Sequence, residues 1–209
     1  MNTPLDNLLI SADAALRTLF ATPRASQPCP TLASNATELT NQEKSHSGAL
    51  MRVNHVGEIC AQALYTAQAF ATKDETLKAH FNQASAEETN HLAWTRQRLT
   101  ELGARPSLLN PLWYGAAFAV GLLAARLGDR VSLGFVVETE TQVEAHLQSH
   151  LNLLPANDHA SRAIVAQMKE DEAAHAMQAR QAGAVELPQA VKSLMTLAAK
   201  VMTTVAHRV

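Results

Sequence analysis

This sequence predicts an all-α protein. Its expected framework is four long helices, with a short apolar helix between the two halves and a further helix at the C-terminal end. Three observations carry the expectation. Alanine, the strongest helix former, accounts for 38 of 209 residues, while glycine and proline are held to 8 each. Apolar residues recur at three- and four-residue spacing over long stretches. No segment alternates as a strand does between hairpin turn residues. With 47% hydrophobic and only 4% aromatic residues, the composition excludes a β-sandwich, a disordered chain and a disulfide scaffold. Seventeen basic against nineteen acidic residues leave a net charge of −2, so the basic footprint of a nucleic-acid-binding protein is absent.

The elements follow in order. Residues 1–20 hold a short accessory helix, Leu5 to Phe20, with Leu8, Leu9, Ala12, Leu16 and Leu19 at helical spacing. Asp6 and Asp13 in this stretch, without a basic start and apolar core, argue against a signal peptide. Residues 21–47 carry Pro23, Pro28, Pro30 and many Ser, Thr and Asn, and read as a linker. The main domain is then 48–209. Its first helix is expected over 49–71. A second runs over 74–102 and stops at Gly103. Asn110-Pro111 opens a short apolar helix that ends near Leu127-Gly128. Asp129 caps the next, which reaches Leu154 before Pro155. Another covers 157–182 and stops at Gly183. Pro188 opens the last, a packing helix with the stripe Val191, Leu194, Met195, Ala198, Val201, Met202 and Val205. Cys29 and Cys60 form no CxxC pair and read as free thiols of a reducing compartment.

The chemistry lies in the spacing Glu-x-x-His. Residues i and i+3 share one helix face and can share a metal. With 13 Glu and 9 His, about 0.6 occurrences are expected by chance, and the sequence has three. Glu43/His46 stands at the end of the linker among polar residues and is read as a chance pair. Glu88/His91 and Glu172/His175 each lie in the middle of a long helix. Each is preceded by a helix with its own inward-facing Glu: Glu58, 30 residues before Glu88, and Glu140, 32 residues before Glu172. Four carboxylates and two imidazoles form the two-metal donor set of ferritin-like bundles. Four carboxylates neutralise two divalent ions, whereas four unpaired carboxylates in an alanine-rich core would be prohibitive. Oxygen and imidazole donors suit iron or manganese. Spacing favours Glu140 as the donor of its helix, with Glu144 on the same face as the alternative. His55, His146 and Glu144 are candidates to orient the ligands from behind.

No charged residue occurs from Pro106 to Ala125. A membrane-spanning helix needs about 20 predominantly apolar residues, and the continuous apolar run from Pro111 is shorter. It suits either a core helix or one lying in a membrane interface. For the interface, Leu112, Trp113, Tyr114 and Phe118 are the candidate membrane-contact residues. Trp113 and Tyr114 fit the headgroup level, and Arg105, Arg126 and Arg130 flank the run.

Taken together, Arg52-Val-Asn-His-Val-Gly-Glu58, Glu88-x-x-His91, Asn110-Pro-Leu-Trp-Tyr114, Glu138-Thr-Glu140 and Glu172-x-x-His175 resemble the bacterial demethoxyubiquinone hydroxylases. These are ferritin-like di-iron monooxygenases of ubiquinone biosynthesis. The resemblance covers residues 48–209 in order and spacing. It implies six iron ligands at Glu58, Glu88, His91, Glu140, Glu172 and His175, and two iron ions per chain. It implies a polyprenyl benzoquinone substrate, hydroxylated with O₂ at the cytoplasmic face of the cell membrane, where the protein is peripheral. A homo-oligomer and contact with other ubiquinone-biosynthesis proteins are the expected protein partners. One position departs from the pattern: some family members carry Tyr after the residue matched by His146, where this chain has Leu147. No nucleotide-binding motif is present. Electrons are therefore expected from a separate reductase, from transiently bound NADH, or from the reduced quinone itself. The alternative reading is a ferritin-like iron-storage or peroxide-scavenging protein.

Overall fold

The computed structural model of the chain describes residues 3–30 and 38–209. Seven helices and no strand lie among them: α1 (Pro4–Phe20), α2 (Asn41–Ala71), α3 (Glu75–Glu101), α4 (Asn110–Arg126), α5 (Asp129–Leu153), α6 (His159–Gln181) and α7 (Gln189–Ala206).

Local chemistry sets most of the boundaries. Thr3 and Thr40 each open a helix with a capping box, in which the Thr hydroxyl and an acid three residues on satisfy each other's backbone N–H. The second box explains why α2 starts eight residues before the expected Ala49. Thr40-x-x-Glu43 is a start signal inside a stretch that reads as linker. Glu43 is thereby occupied as a cap residue, and the exposed His46 bonds the Leu153 carbonyl oxygen at 3.1 Å. Residues 31–37 of the expected linker lie outside the described residues. Asp74 and Asp158 cap α3 and α6 through backbone N–H groups. The α4 expectation shifts by one residue: Leu109 is the cap position and Asn110 is already helical, so Asn110 makes no cap bond. Gly103, Gly128 and Gly183 follow α3, α4 and α6 at positive φ, the conformation that lets the chain leave a helix sharply.

Short connections make α2/α3 and α5/α6 two antiparallel hairpins. Close backbone approaches are concentrated within each hairpin and are few between them, where α3 meets α6 and α2 meets α5. The backbones thus approach closely inside each pair, while side chains fill the space between the pairs. One apolar cluster, including Leu50, Met51, Trp94, Leu99, Leu147, Ile164 and Met168, fills one end. A second, including Tyr65, Phe81, Leu133, Val136 and Ala179, fills the other. The polar centre lies between them.

The remaining helices line the outside of α2. Helix α4 connects the hairpins and packs closely on α2, where a Cβ at Gly121 would stand 3.0 Å from the Leu64 carbonyl oxygen. Helix α1 packs on α2 and α4, with Ala15 and Leu19 against the Tyr114 cluster. Helix α7 is held at its two ends. Lys192 pairs with Glu138 at 3.6 Å, and Ala206 and Met202 join Val53, Val56 and Trp113. Its expected stripe divides accordingly: Met195, Met202 and Val205 are half-buried, while Val191, Leu194, Ala198 and Val201 face outward.

Candidate metal centre

Glu58, Glu88, His91, Glu140, Glu172 and His175 are all buried, each no more than 4% exposed. One helix of each hairpin brings a single Glu, from α2 and α5. The other brings a Glu-x-x-His pair, whose two side chains leave α3 or α6 on one face.

The distances divide the group into two halves. Nδ1 of His91 lies 3.1 Å from Glu88 Oε2, 3.3 Å from Glu172 Oε1 and 3.6 Å from Glu58 Oε2. Nδ1 of His175 lies 3.0 Å from Glu88 Oε1 and 3.2 Å from Glu172 Oε2. Glu88 and Glu172 thus each direct one oxygen to either imidazole. Glu58 stands on the His91 side. The Glu140 carboxylate feels the charges of Glu172, Glu88 and His175, and Tyr65 Oη donates to its Oε1 at 2.7 Å. Glu58, Glu88, His91 and Glu172 offer donor atoms that all lie within 4.8 Å of one another.

Electrostatics show what this set demands. Burial, reinforced by the Glu88 and Glu172 charges, pushes the carboxyl of Glu58 well above the carboxylate range. Burial and the Glu172 and Glu88 charges do the same to Glu140. Burial alone would raise Glu88 too, but His91 and His175 hold it low. Against their own burial, the surrounding acids raise both imidazoles, His91 well above its usual range and His175 to about 12. The cluster compensates four acids by holding protons, a role that two divalent cations fill by displacing them. Glu88 Oε1 is buried and accepts no well-directed hydrogen bond despite its closeness to His175. The orphaned oxygen and the oxygen-rich donor set fit a hard divalent metal such as iron or manganese.

Behind the imidazoles stand two acids that the spacing argument passed over. His91 Nε2–H donates to Asp171 Oδ2 at 2.9 Å, and His175 Nε2–H donates to Glu87 Oε2 at 2.9 Å. Each immediately precedes a Glu-x-x-His pair, so the repeat (Asp/Glu)-Glu-x-x-His was visible in the sequence. Tyr65 was findable as well, seven residues beyond Glu58 on the same face of α2.

The expected orienting residues stand elsewhere. Buried His55 makes no hydrogen bond to any of the six, and burial and the Arg96 charge lower its pKa to about 3. His146 packs on His150, with ring centroids 4.0 Å apart. Glu144 is half-buried and bonds none of the six. On α4, Leu112 is 60% exposed, but Tyr114 is 5% exposed and Phe118 stacks on it. Trp113 joins the cluster of Val53, Val56 and Ala206. The aromatic side chains therefore anchor α4 inward, and its outward face is aliphatic, with Leu112, Val120 and Leu123, continued by Leu108 and Leu127 at its flanks. No helix among the described residues is long and apolar enough to cross a membrane.

A family model described as Ubiquinone biosynthesis protein COQ7 matches residues 45–206. Among curated proteins, one from Albidiferax ferrireducens is 76% identical over 208 residues, covering 100% of this chain and 99% of its own. Another from Polaromonas naphthalenivorans is 69% identical over 209 residues, with both chains fully covered. A third from Variovorax paradoxus is 65% identical, again over the full length of both. All three bear the name 3-demethoxyubiquinol 3-hydroxylase.

Proposed function

The chain belongs to the ubiquinone biosynthesis protein COQ7 family, and from that premise we propose that the buried cluster is the two-iron centre of a demethoxyubiquinol hydroxylase. The protein is a hydroxylase of ubiquinone biosynthesis, an oxidoreductase that acts on a quinone-type ring with O₂. Membership in this family decides against the storage and peroxide-scavenging alternatives.

One observation carries the assignment of the centre: Glu88 and Glu172 each present one oxygen to either imidazole, so both carboxylates are shared between the two halves of the cluster. In this reading Glu58 and His91 complete one metal position, and Glu140 and His175 the other. Iron held by Glu58, Glu88, His91, Glu140, Glu172 and His175 would supply the redox chemistry for the reduction of O₂. The chain's own groups do the rest. The Nε2–H bonds to Asp171 and Glu87 keep each Nδ1 lone pair turned to the centre. The apolar clusters at both ends keep water away.

The relatives' name specifies the reduced ring, a ubiquinol. This supports the reduced substrate as the electron source. The quinol gives up two electrons and two protons, the ring C–H becomes C–OH, and O₂ ends as that hydroxyl oxygen and one water. Neither NADH nor a nucleotide site is needed for this balance.

A polyprenyl tail requires an apolar approach. Among the described residues, the exposed large hydrophobic side chains lie on α1, α4, α7 and their flanks, save Leu153 and Met177. All three helices pack on α2, the helix of Glu58. This one-sided distribution supports peripheral attachment to the membrane through the α4 side, with the substrate admitted there.

The test is Glu172→Ala. Iron per chain is expected to fall below one ion, with hydroxylation of demethoxyubiquinol lost. Full iron content with full activity overturns the ligand assignment.

A further inference from the structure

The chain has nine histidines, and the proposed centre uses two of them. Four others gather where α5 ends. His146 and His150 stand at i and i+4 on α5, and their ring centroids are 4.0 Å apart. His150 is 4% exposed. Its Nδ1 and the Nε2 of His146 are buried and have no hydrogen-bond partner among the described residues. A buried polar atom without a partner is costly, and two bare nitrogens on neighbouring rings are a place for one shared partner. His46, near the start of α2, reaches the same end of the bundle. Its Nε2–H donates to the carbonyl oxygen of Leu153, one turn beyond His150. His207 directly follows α7, and the charges of His46, His146 and His207 all reach the His150 ring. Helical rise puts His150 about 15 Å along α5 from Glu140, so this group is separate from the carboxylate cluster.

We propose that His146, His150 and His46 form a second, all-imidazole metal site that takes one borderline divalent ion of the zinc class. Two histidines at i and i+4 on a helix are a recurrent zinc-binding pair. With Zn–N bonds of about 2.0–2.1 Å, tetrahedral donors stand about 3.3 Å apart, a separation that rings spaced as these are can supply. The carbonyl that holds the Nε2–H of His46 leaves its Nδ1 lone pair free, which is how ligating imidazoles are commonly fixed. His207 is left out of the set, because the Arg52 and Arg208 charges beside it oppose a cation. Donor type separates this site from the other. Imidazoles without a carboxylate suit zinc, copper or nickel, whereas the carboxylate-rich cluster suits iron or manganese. Burial lowers the pKa of His146, and burial with the neighbouring histidines takes His150 to about 3. Both are therefore neutral near pH 7 and shed no proton on binding. An ion held here joins the start of α2 to the end of α5 and so ties one hairpin to the other.

The test uses the full-length, iron-loaded chain, dialysed against Zn²⁺, with zinc and iron both counted afterwards. The wild type is expected to retain one zinc per chain without losing iron, and its thermal midpoint should rise with zinc. His146→Leu and His150→Leu are each expected to lose that zinc and the rise in midpoint at unchanged iron content, with circular dichroism checking the fold. His46→Ala changes an exposed side chain, so the core is untouched, and it is expected to release zinc at concentrations that the wild type withstands. Cu²⁺ in place of zinc gives a second readout. Its electron paramagnetic resonance should show nitrogen hyperfine splitting in the wild type, lost in the variant that carries both His146→Leu and His150→Leu. Glu172→Ala keeps the two sites distinguishable: its iron is expected to fall while the zinc stays. No zinc taken up, zinc gained only as iron leaves, zinc lost with Glu172→Ala, or zinc retained by the variant with both leucines overturns the proposal. Full iron in Glu172→Ala instead counts against the two-metal reading and leaves the histidine site standing.

Discussion

His150 shows how a single buried side chain couples this fold to pH. It is 4% exposed, its Nδ1 has no hydrogen-bond partner, and burial together with His146, His207 and His46 lowers its pKa to about 3. In the unfolded chain it titrates near 6.5. Above that pH it is neutral in both states and its titration is without effect. As the pH falls below 6.5, the unfolded chain takes up a proton that the folded chain refuses. Stability then declines by up to about 1.4 kcal/mol per pH unit until the folded form protonates near 3. His150→Leu is expected to flatten that acid limb in urea titrations between pH 6.5 and 4. An unchanged slope counts against this account. His55, buried beside α3, adds a second contribution of the same sign. At this scale the sequence was legible where spacing carried information: the six candidate donors follow from helical periodicity and a repeated interval. Glu87 and Asp171 were passed over because charged residues next to a motif ordinarily face solvent. The inward turn of Trp113 and Tyr114 was hidden because periodicity in a run that is apolar all round does not say which face is buried.

Helix boundaries were legible to within a residue or two wherever a cap residue or a glycine marked them. The exception was α2, whose capping box is embedded in linker-like composition. Packing partners were less legible, because they depend on shape across sequence distance. Gly134 of α5 illustrates this. A Cβ there would collide with the Val185 carbonyl oxygen, a backbone group 51 positions away that cannot yield as a flexible side chain would. Val185 N–H also donates to the Arg130 carbonyl oxygen, which pins the segment in place. Gly134→Ala should therefore destabilise the chain by about 1–3 kcal/mol in denaturant titration despite alanine's better helix propensity. Helix α4 supports a different prediction. Leu112→Glu with Leu123→Glu changes two outward side chains and no core contact. Sedimentation with anionic liposomes should fall severalfold at unchanged iron content. Undiminished sedimentation would argue against α4 as the attaching face.

Across the whole molecule, the bundle places its most expensive groups between its two apolar clusters, in the seam that joins the hairpins. In the seam between hairpins, burial raises the carboxyls of Glu58 and Glu140 and the acids raise both imidazoles, so protons compensate the buried cluster; under the proposed two-metal reading, divalent ions would take over that role. Removing metal with a chelator should therefore lower the thermal midpoint by several degrees. Each site that is occupied at a hundred times its Kd contributes about 2.7 kcal/mol. Glu172→Ala should lose most of this response. The four-helix framework was legible from alanine content and periodicity, while the crowding of α1, α4 and α7 onto α2 was not, since no local signal encodes which neighbour an amphipathic helix chooses.

The tightness within hairpins and the sparseness between them also dictate an order of assembly. Contacts inside α2/α3 and α5/α6 are local along the chain and close rapidly, whereas the seam joins residues some eighty positions apart. Each hairpin carries three of the six proposed donors, so neither alone would complete the proposed centre. Under the proposed two-metal reading, metal capture would be the closing event of maturation, and the seam would be the first part of the molecule to open when the ions leave. Amide exchange along the facing sides of α3 and α6 would record that opening, while the amides within each hairpin stay protected.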